Sequence, residues 1–313
     1  MKPYLGTEII VPGGRNLKIS AVVILGSKGQ LGGILTRQLS MANFKVTGLN
    51  KSELDVTDKT AIRKMINSIR PKFLINCAAW TDVANAENYK NDAYLINCTS
   101  LEEITRSCVD YSVKLIHIST DHVFSGTQNS EYKTDAEKNP VNYYGYSKSK
   151  GEDLIINSKS LEYWILRTSW LYGNSKSDFV NKILDQYKSS KFPISVVSDQ
   201  FGHPTYVKDL AERIIVMINL DVAPGIYHAS NSGLTSWYEF AREIALKKGL
   251  DQNRIIPITT RELGSAVKRP MSASMDFSAW SEVNLEPLRN WQLALQEFIY
   301  ERNMIDRDNS FKN

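Results

Sequence analysis

Short apolar runs alternate with helical patterns through the first half of this chain. Ala21-Val22-Val23-Ile24-Leu25 is an unbroken apolar, β-branched run, the pattern of a strand buried on both faces of a parallel sheet. Further strands are predicted at Lys45 to Leu49, Phe73 to Ala79, Lys114 to Ser119 and Tyr163 to Arg167. Between them, helical patterns cover Ile34 to Leu39, Lys59 to Ser68, Leu101 to Tyr111 and Tyr144 to about Asn157. Such alternation implies an α/β fold, a doubly wound parallel (Rossmann) sheet with right-handed crossovers. Beyond Tyr172 the pattern loosens. Ile194 to Val197 and Gly225 to His228 read as short strands. Lys208 to Ile218, Trp237 to Lys247 and Trp291 to Arg302 read as amphipathic helices. The expected division is an N-terminal arm over 1–18, a dinucleotide-binding domain over 19–172, and a smaller α+β lobe over 173–313. Some segments of that lobe should return to the first domain.

Ligands of doubly wound sheets lie at the carboxyl ends of the strands. Gly26, Ala78, Thr120 and Thr168 fall at such ends, so one crevice should gather them. The first strand runs into Gly26-Ser27-Lys28-Gly29-Gln30-Leu31-Gly32-Gly33 and then into a helix. Glycines there permit a tight turn and let backbone approach a pyrophosphate at the helix N-terminus. The second strand ends at Asn50-Lys51-Ser52, without the acidic residue that usually meets a ribose 2′-hydroxyl. Lys51, or Arg37 on the first helix, could instead meet a 2′-phosphate. The cofactor expected is NADPH, with NADH possible. Asp55 stands where an adenine edge could be held, or where it would cap the next helix.

Tyr144 and Lys148 are four apart and share a helical face. An ammonium beside a phenol favours the phenolate and should lower the tyrosine's pKa toward working pH. Such a tyrosine can pass a proton to or from a substrate oxygen, and a Thr120 hydroxyl could hold the same oxygen.

Composition narrows the alternatives. The chain has 313 residues, 42% hydrophobic and 23% charged, ordinary for a globular protein. A net charge of +4 without a basic block does not indicate nucleic-acid binding. No apolar run is long enough to span a membrane, and no secretory h-region is evident at the start. Cys77, Cys98 and Cys108 lack C-x-x-C spacing, which points to free thiols in the cytoplasm. The four histidines show no ligand spacing, and no metal is expected.

The glycine loop with Tyr144-x-x-x-Lys148 resembles the extended short-chain dehydrogenases/reductases. Closer resemblance is to the dTDP-4-dehydrorhamnose reductase family. It is carried by Gly26 to Gly32, Leu54 to Asp58, Asn76 to Thr81, Ser119 to Phe124 and Asn142 to Gly145. Leu166 to Gly173, Asp199 to Thr205, Ser236 to Ala241 and Arg269-Pro270 continue it in family order. The resemblance implies reduction of the 4-keto group of dTDP-4-dehydro-L-rhamnose, with Tyr144 as proton donor. Lys148 would bind the nicotinamide ribose and tune Tyr144. Gly26, Gly29, Gln30, Leu31 and Gly32 would hold the pyrophosphate. Asp55 and Val56 would contact the adenine side, and Ala78, Ala79, Trp80 and Thr81 would wall the cofactor. Thr120, Asp121 and Trp170 would touch the sugar, and Arg269 lies in a loop near the diphosphate. A homodimer is possible. This chain departs from the pattern at His122, where the family often has tyrosine, and at Ala84 and Ser125, where it has an acidic residue.

Two other readings compete. A dehydratase or epimerase of the same superfamily is one, although dehydratases carry an acidic residue where His122 stands. A non-catalytic subunit resembling the methionine adenosyltransferase β subunit is the other. The presence of Thr120, Tyr144 and Lys148 favours an enzyme.

Overall fold

The computed structural model describes residues 20–173, 175 and 177–310. The arm expected over 1–18 lies outside the described residues. The chain opens with β1 (Ala21–Leu25), α1 (Gln30–Met41), β2 (Lys45–Leu49), α2 (Lys59–Ile69) and β3 (Phe73–Asn76). It continues with α3 (Ser100–Asp110), β4 (Lys114–Thr120), α4 (Tyr143–Ile156) and β5 (Tyr163–Thr168). Then follow α5 (Phe179–Ser189), β6 (Ile194–Val197), α6 (Val207–Leu220) and β7 (Gly225–His228). The last major elements are α7 (Trp237–Lys247), β8 (Ile255–Ile258) and α8 (Trp291–Ser310).

Six strands form one sheet in the order β7-β5-β4-β3-β1-β2, every pair parallel. Side chains alternate between its faces. Val22 and Ile24 enter a core with Leu35 and Leu39 of α1 and Ile214 of α6. Val23 and Leu25 enter a second core with Ile62 of α2 and Leu101 and Ile104 of α3. The uninterrupted apolar run of β1 follows from this two-sided covering. The strand expected through Ala79 ends at Asn76, and the chain from Cys77 leaves the sheet toward the ligand side. Gly225 to His228, which read as a short strand beyond the first domain, is the edge strand of the main sheet and pairs with Trp164 to Arg167. What lies beyond the sheet is built on β6 paired with β8, parallel, and on α5 and α7.

The strand order changes direction between β1 and β3, because β2 lies outside β1 while β3 and β4 continue on its other side. Such a switch point opens a crevice at the strand carboxyl ends. Leu25 stands level with Leu49 and Asn76, while β4 and β5 continue together to Thr120 and Thr168. Beneath these last two residues lies a buried ion pair. Arg167 donates from Nε and Nη2 to the two oxygens of Glu152 at 3.0 and 2.8 Å. Ser119 Oγ donates to the same carboxylate at 2.6 Å, and Arg167 Nη1 donates to the Thr134 carbonyl at 2.8 Å. Burial alone would push Glu152 up, but Arg167 beside it holds the carboxyl below its ordinary range.

Substituting one partner strands the other charge in the interior. Arg167→Met should therefore lower the unfolding free energy by about 3–5 kcal/mol, measured by urea denaturation near neutral pH. The contribution should fade as pH falls below 4.5, where an unfolded glutamate gains a proton that the folded one resists.

Candidate active site

A cleft of about 840 Å³ opens at the strand carboxyl ends. Gly29, Gln30, Leu31 and Gly32 form one wall, and Ala79 and Thr81 another. The glycine loop is compressed by its own backbone. Gly26 has φ +78°, and its N–H donates to the Leu49 carbonyl at 2.8 Å. A Cβ there would lie 2.8 Å from the Ala78 nitrogen, and one on Gly32 would collide with the Gly26 carbonyl. Gly29 is the N-cap of α1, without a side chain between the helix terminus and the cleft. This leaves room and backbone donors for a pyrophosphate.

Helix α4 brings the proton chemistry to the opposite side. Asn142 caps it by accepting from Gly145 N–H at 2.8 Å, and Glu87 accepts from Tyr143 N–H at 2.7 Å. Gly145 lies against the His122 carbonyl so closely that a Cβ would collide with it. The helix start is thus locked onto the turn Asp121–Val123 that follows β4. Tyr144, Lys148, Thr120, Asp121 and His122 all line the cleft. Thr120 Oγ1 donates to Asp121 Oδ1 at 3.0 Å and accepts from His122 N–H at 3.2 Å. Asn142 Nδ2 lies 2.9 Å from His122 Nδ1 and 3.0 Å from the Lys268 carbonyl. Because Asn142 Oδ1 is taken by Gly145 N–H, Nδ2 is the donor, and His122 carries its proton on Nε2.

The expected effect of Lys148 on Tyr144 is absent in this structure. Burial pushes the Tyr144 hydroxyl up to about 12, the Thr120 hydroxyl only partly offsets this, and the Asp121 carboxylate adds to it. The residue as a whole is half-buried at the cleft. Lys148 Nζ instead donates to the Ile118 carbonyl at 2.7 Å and lies 3.0 Å from His117 Nε2. Burial pulls that amine down to about 8, against the pull of Glu152. The pair shares a face, as the spacing requires, yet each side chain answers to other neighbours.

The remaining predicted residues divide. Trp170 lines the cleft in left-handed backbone, φ +45°, its ring stacked 3.5 Å from that of Trp237. That strain persists because the stack and the tight seat over Gly202 hold the ring. Arg269 also lines the cleft, its Nη1 donating to Ser265 Oγ at 3.0 Å. Gly26 and Ala78 support the floor from behind. Trp80 donates from Nε1 to the Asp82 carbonyl and packs on Tyr89. Val56 is buried in the core under α2 and α3. Asp55 braces Thr57 through its N–H and hydroxyl, at 2.9 and 2.8 Å, and Asp58 rather than Asp55 caps α2. Lys51 is exposed directly after β2, and Arg37 is exposed on α1. Burial pushes the Cys77 thiol up to about 12, so this cleft residue is no nucleophile.

The comparisons with known proteins agree with this geometry. The family model described as RmlD substrate binding domain matches residues 20–304. The spore coat polysaccharide biosynthesis protein SpsK of Bacillus subtilis is 39% identical over 285 residues, 91% of this chain and 98% of that protein. A dTDP-4-keto-6-deoxy-D-glucose reductase of Streptomyces niveus is 34% identical, covering 88% of this chain and 95% of its own. A crystal structure of dTDP-4-dehydrorhamnose reductase from Bacillus anthracis in complex with NADP superposes with a TM-score of 0.86. It is 34% identical, with 90% of this chain and 99% of that one covered. The chain belongs to the dTDP-4-dehydrorhamnose reductase family. Its glycine cradle, open only because no Cβ fills it, fits the dinucleotide that an oxidoreductase of this family uses.

Several residues of this family member's site were missed by sequence reading. Asn97 lies in a one-turn π-bulge, Leu95–Thr99. It accepts from Trp80 N–H at 2.8 Å and donates to Ser147 Oγ at 2.9 Å, tying the cofactor wall to α4. No local pattern marks it. Lys182, Gln200 and Trp237 line the cleft from the smaller lobe. Asn142 could have been found, since an asparagine before a helical run is an N-cap signal.

Gly32→Ala should weaken NADPH binding at least tenfold, read by cofactor fluorescence, because the added methyl strikes the Gly26 carbonyl. Near-normal affinity would mean that the loop does not carry the pyrophosphate.

Proposed function

We propose that the protein reduces the 4-keto group of dTDP-4-dehydro-L-rhamnose to give dTDP-L-rhamnose, with NADPH as reductant. The observation that carries this reading is one cleft at the strand ends that Tyr144, Lys148 and Thr120 line together with the glycine cradle. When bound, the cofactor supplies the hydride. Tyr144 gives its proton to the oxygen that gains charge, and Thr120 holds that oxygen in place. A phenol kept protonated to about 12 is always ready to act as the acid at neutral pH. Lys148 binds the nicotinamide ribose. Gly29, Gln30, Leu31 and Gly32 take the pyrophosphate, with Ala79 and Thr81 along the ring system. Lys51, exposed after β2, faces the 2′-phosphate. Asp121 and Trp170, the latter stacked on Trp237, position the sugar. Arg269 and Lys182, both on the cleft wall, meet the diphosphate.

The known relatives include a reductase of another dTDP-linked keto sugar, so the shared chemistry is 4-keto reduction. Elimination is disfavoured by the site. An acid or base right after the Thr-Asp pair would be His122, whose Nδ1 is occupied by Asn142 and whose pKa burial lowers. The three cysteines are free thiols, in keeping with a cytoplasmic enzyme. Among the described residues no helix is long and apolar enough to cross a membrane.

Loss of reduced-nicotinamide absorbance on adding dTDP-4-dehydro-L-rhamnose tests the reading. Tyr144→Phe should lower kcat about 100- to 10,000-fold while leaving NADPH affinity within a few-fold. Turnover of Tyr144→Phe within tenfold of the unchanged protein would remove Tyr144 from its role.

A further inference from the structure

Behind the cleft, outside its lining, lies a buried histidine that the reaction does not use. His117 is 1% exposed, on β4. Its Nδ1 lies 3.2 Å from Asn76 Nδ2, and its Nε2 lies 3.0 Å from Lys148 Nζ. The Asn76 amide is oriented by Ala78, whose N–H donates to Oδ1 at 3.1 Å, so Nδ2 faces the ring as a donor. Both ring nitrogens therefore confront nitrogen groups that ordinarily donate. A neutral imidazole has one N–H and one lone pair. If Nδ1 accepts from Asn76, Nε2 carries the proton and Lys148 must receive it, which only a neutral amine can do. If Lys148 is an ammonium donating to Nε2, the Nδ1 proton points at the Asn76 amide hydrogens. A fully protonated ring satisfies neither neighbour, and burial with Lys148 alongside holds His117 well below its ordinary range.

Other charges do not relieve the conflict. Glu152, on the same helix as Lys148, is committed to Arg167, Ser119 and Lys138. Cys77, after β3, stays a neutral thiol. The consistent arrangement is Asn76 Nδ2–H to Nδ1, Nε2–H to a neutral Nζ, and Nζ–H to the Ile118 carbonyl.

We infer that His117 is a positioning residue for Lys148: with Asn76 it holds the lysine back as a neutral amine in the empty enzyme and releases it to the cofactor ribose when it gains a proton. The inference rests on the proposed reading of Lys148 as the ribose ligand. The proton comes from solvent and ends on Nζ, and His117 keeps its Nε2–H. Cofactor binding is then coupled to proton uptake, because the amine is half-neutral near pH 8 when empty and fully charged when loaded. The 2′-phosphate contributes nothing there, being ionised already above about pH 6.

The test is calorimetry of NADPH binding to the whole protein between about pH 8 and 9, in two buffers of different ionisation heat. Net proton uptake is expected, with affinity falling by up to about tenfold per pH unit above pH 8. His117→Gln offers the ammonium an acceptor oxygen, so its uptake should shrink by at least half and the fall of its affinity with pH should flatten accordingly. Binding by the unchanged protein without uptake, or equal uptake by His117→Gln, overturns the inference. Nitrogen NMR of the histidine ring in the empty protein gives an independent reading. Above pH 8 the Nε2–H tautomer is expected, and Nδ1–H overturns the assignment whatever the cofactor does. Absence of any NADPH binding, with the Nε2–H tautomer present, would instead sink the cofactor reading and leave the buried arrangement standing.

Discussion

The buried pair Arg167–Glu152 is the constraint on which the reacting groups depend. It joins three elements that the chain brings together from far apart: Arg167 from β5, Glu152 from α4, and Ser119 from β4. Such a pair contributes little net stability, because removing two charges from water costs about as much as their attraction returns. Its strength lies in geometry. Two parallel hydrogen bonds fix both the distance and the rotation of α4 relative to the sheet. Since Glu152 is one turn beyond Lys148 and two beyond Tyr144, fixing its carboxylate fixes the phase of the whole helix. The ring of Phe124 over the Arg167 guanidinium, 5.0 Å from it, seals the pair from the side of the turn that carries His122.

The helix start is held by a second device of a different kind. Backbone meets backbone where Gly145 touches the His122 carbonyl, and Asn142 links the cap to His122 and to Lys268. One side chain thus connects α4, the turn after β4, and the loop that carries Arg269. A site that must align a proton donor with a ring system tolerates little slack, and rigid support from several elements supplies this. Trp170 shows the same principle in the backbone. It occupies a conformation that tryptophan seldom adopts, and aromatic stacking on Trp237 holds it there.

Legibility in the sequence followed how local each signal was. β1 and the glycine loop could be read directly, because two-sided burial forces an apolar run and because tight turns demand glycine. Tyr144 and Lys148 could be placed on one face, because helical spacing is local. What Lys148 touches could not be read. Its partners His117 and Ile118 are some thirty residues away and become neighbours only when β4 lies under α4. β7 was recognised as a strand, but its place at the sheet edge depends on a return from the smaller lobe that no periodicity encodes. Asp55 was read as an adenine-side residue with helix capping as the alternative; Asp58 offers the same cap signal three residues on and takes that role, which only geometry reveals. Asn97, the tie between the cofactor wall and α4, sits in a helical bulge without any compositional mark.

The electrostatic state of the cleft follows from the same packing. Tyr144 is held neutral, His122 is neutral with a fixed tautomer, and Lys148 is half-discharged near pH 8. Ligands that carry phosphates change the balance. In the proposed complex Arg269 and Lys182 on the cleft wall would meet these anions at the rim. In the proposed reduction Tyr144 would need no lowering of its pKa to work as an acid. The oxygen it would protonate becomes an alkoxide-like group far more basic than a phenol, so the proton would move downhill even from a tyrosine pushed up to about 12. Burial, which defeats the simple expectation of a phenolate beside an ammonium, suits the direction in which this reaction runs.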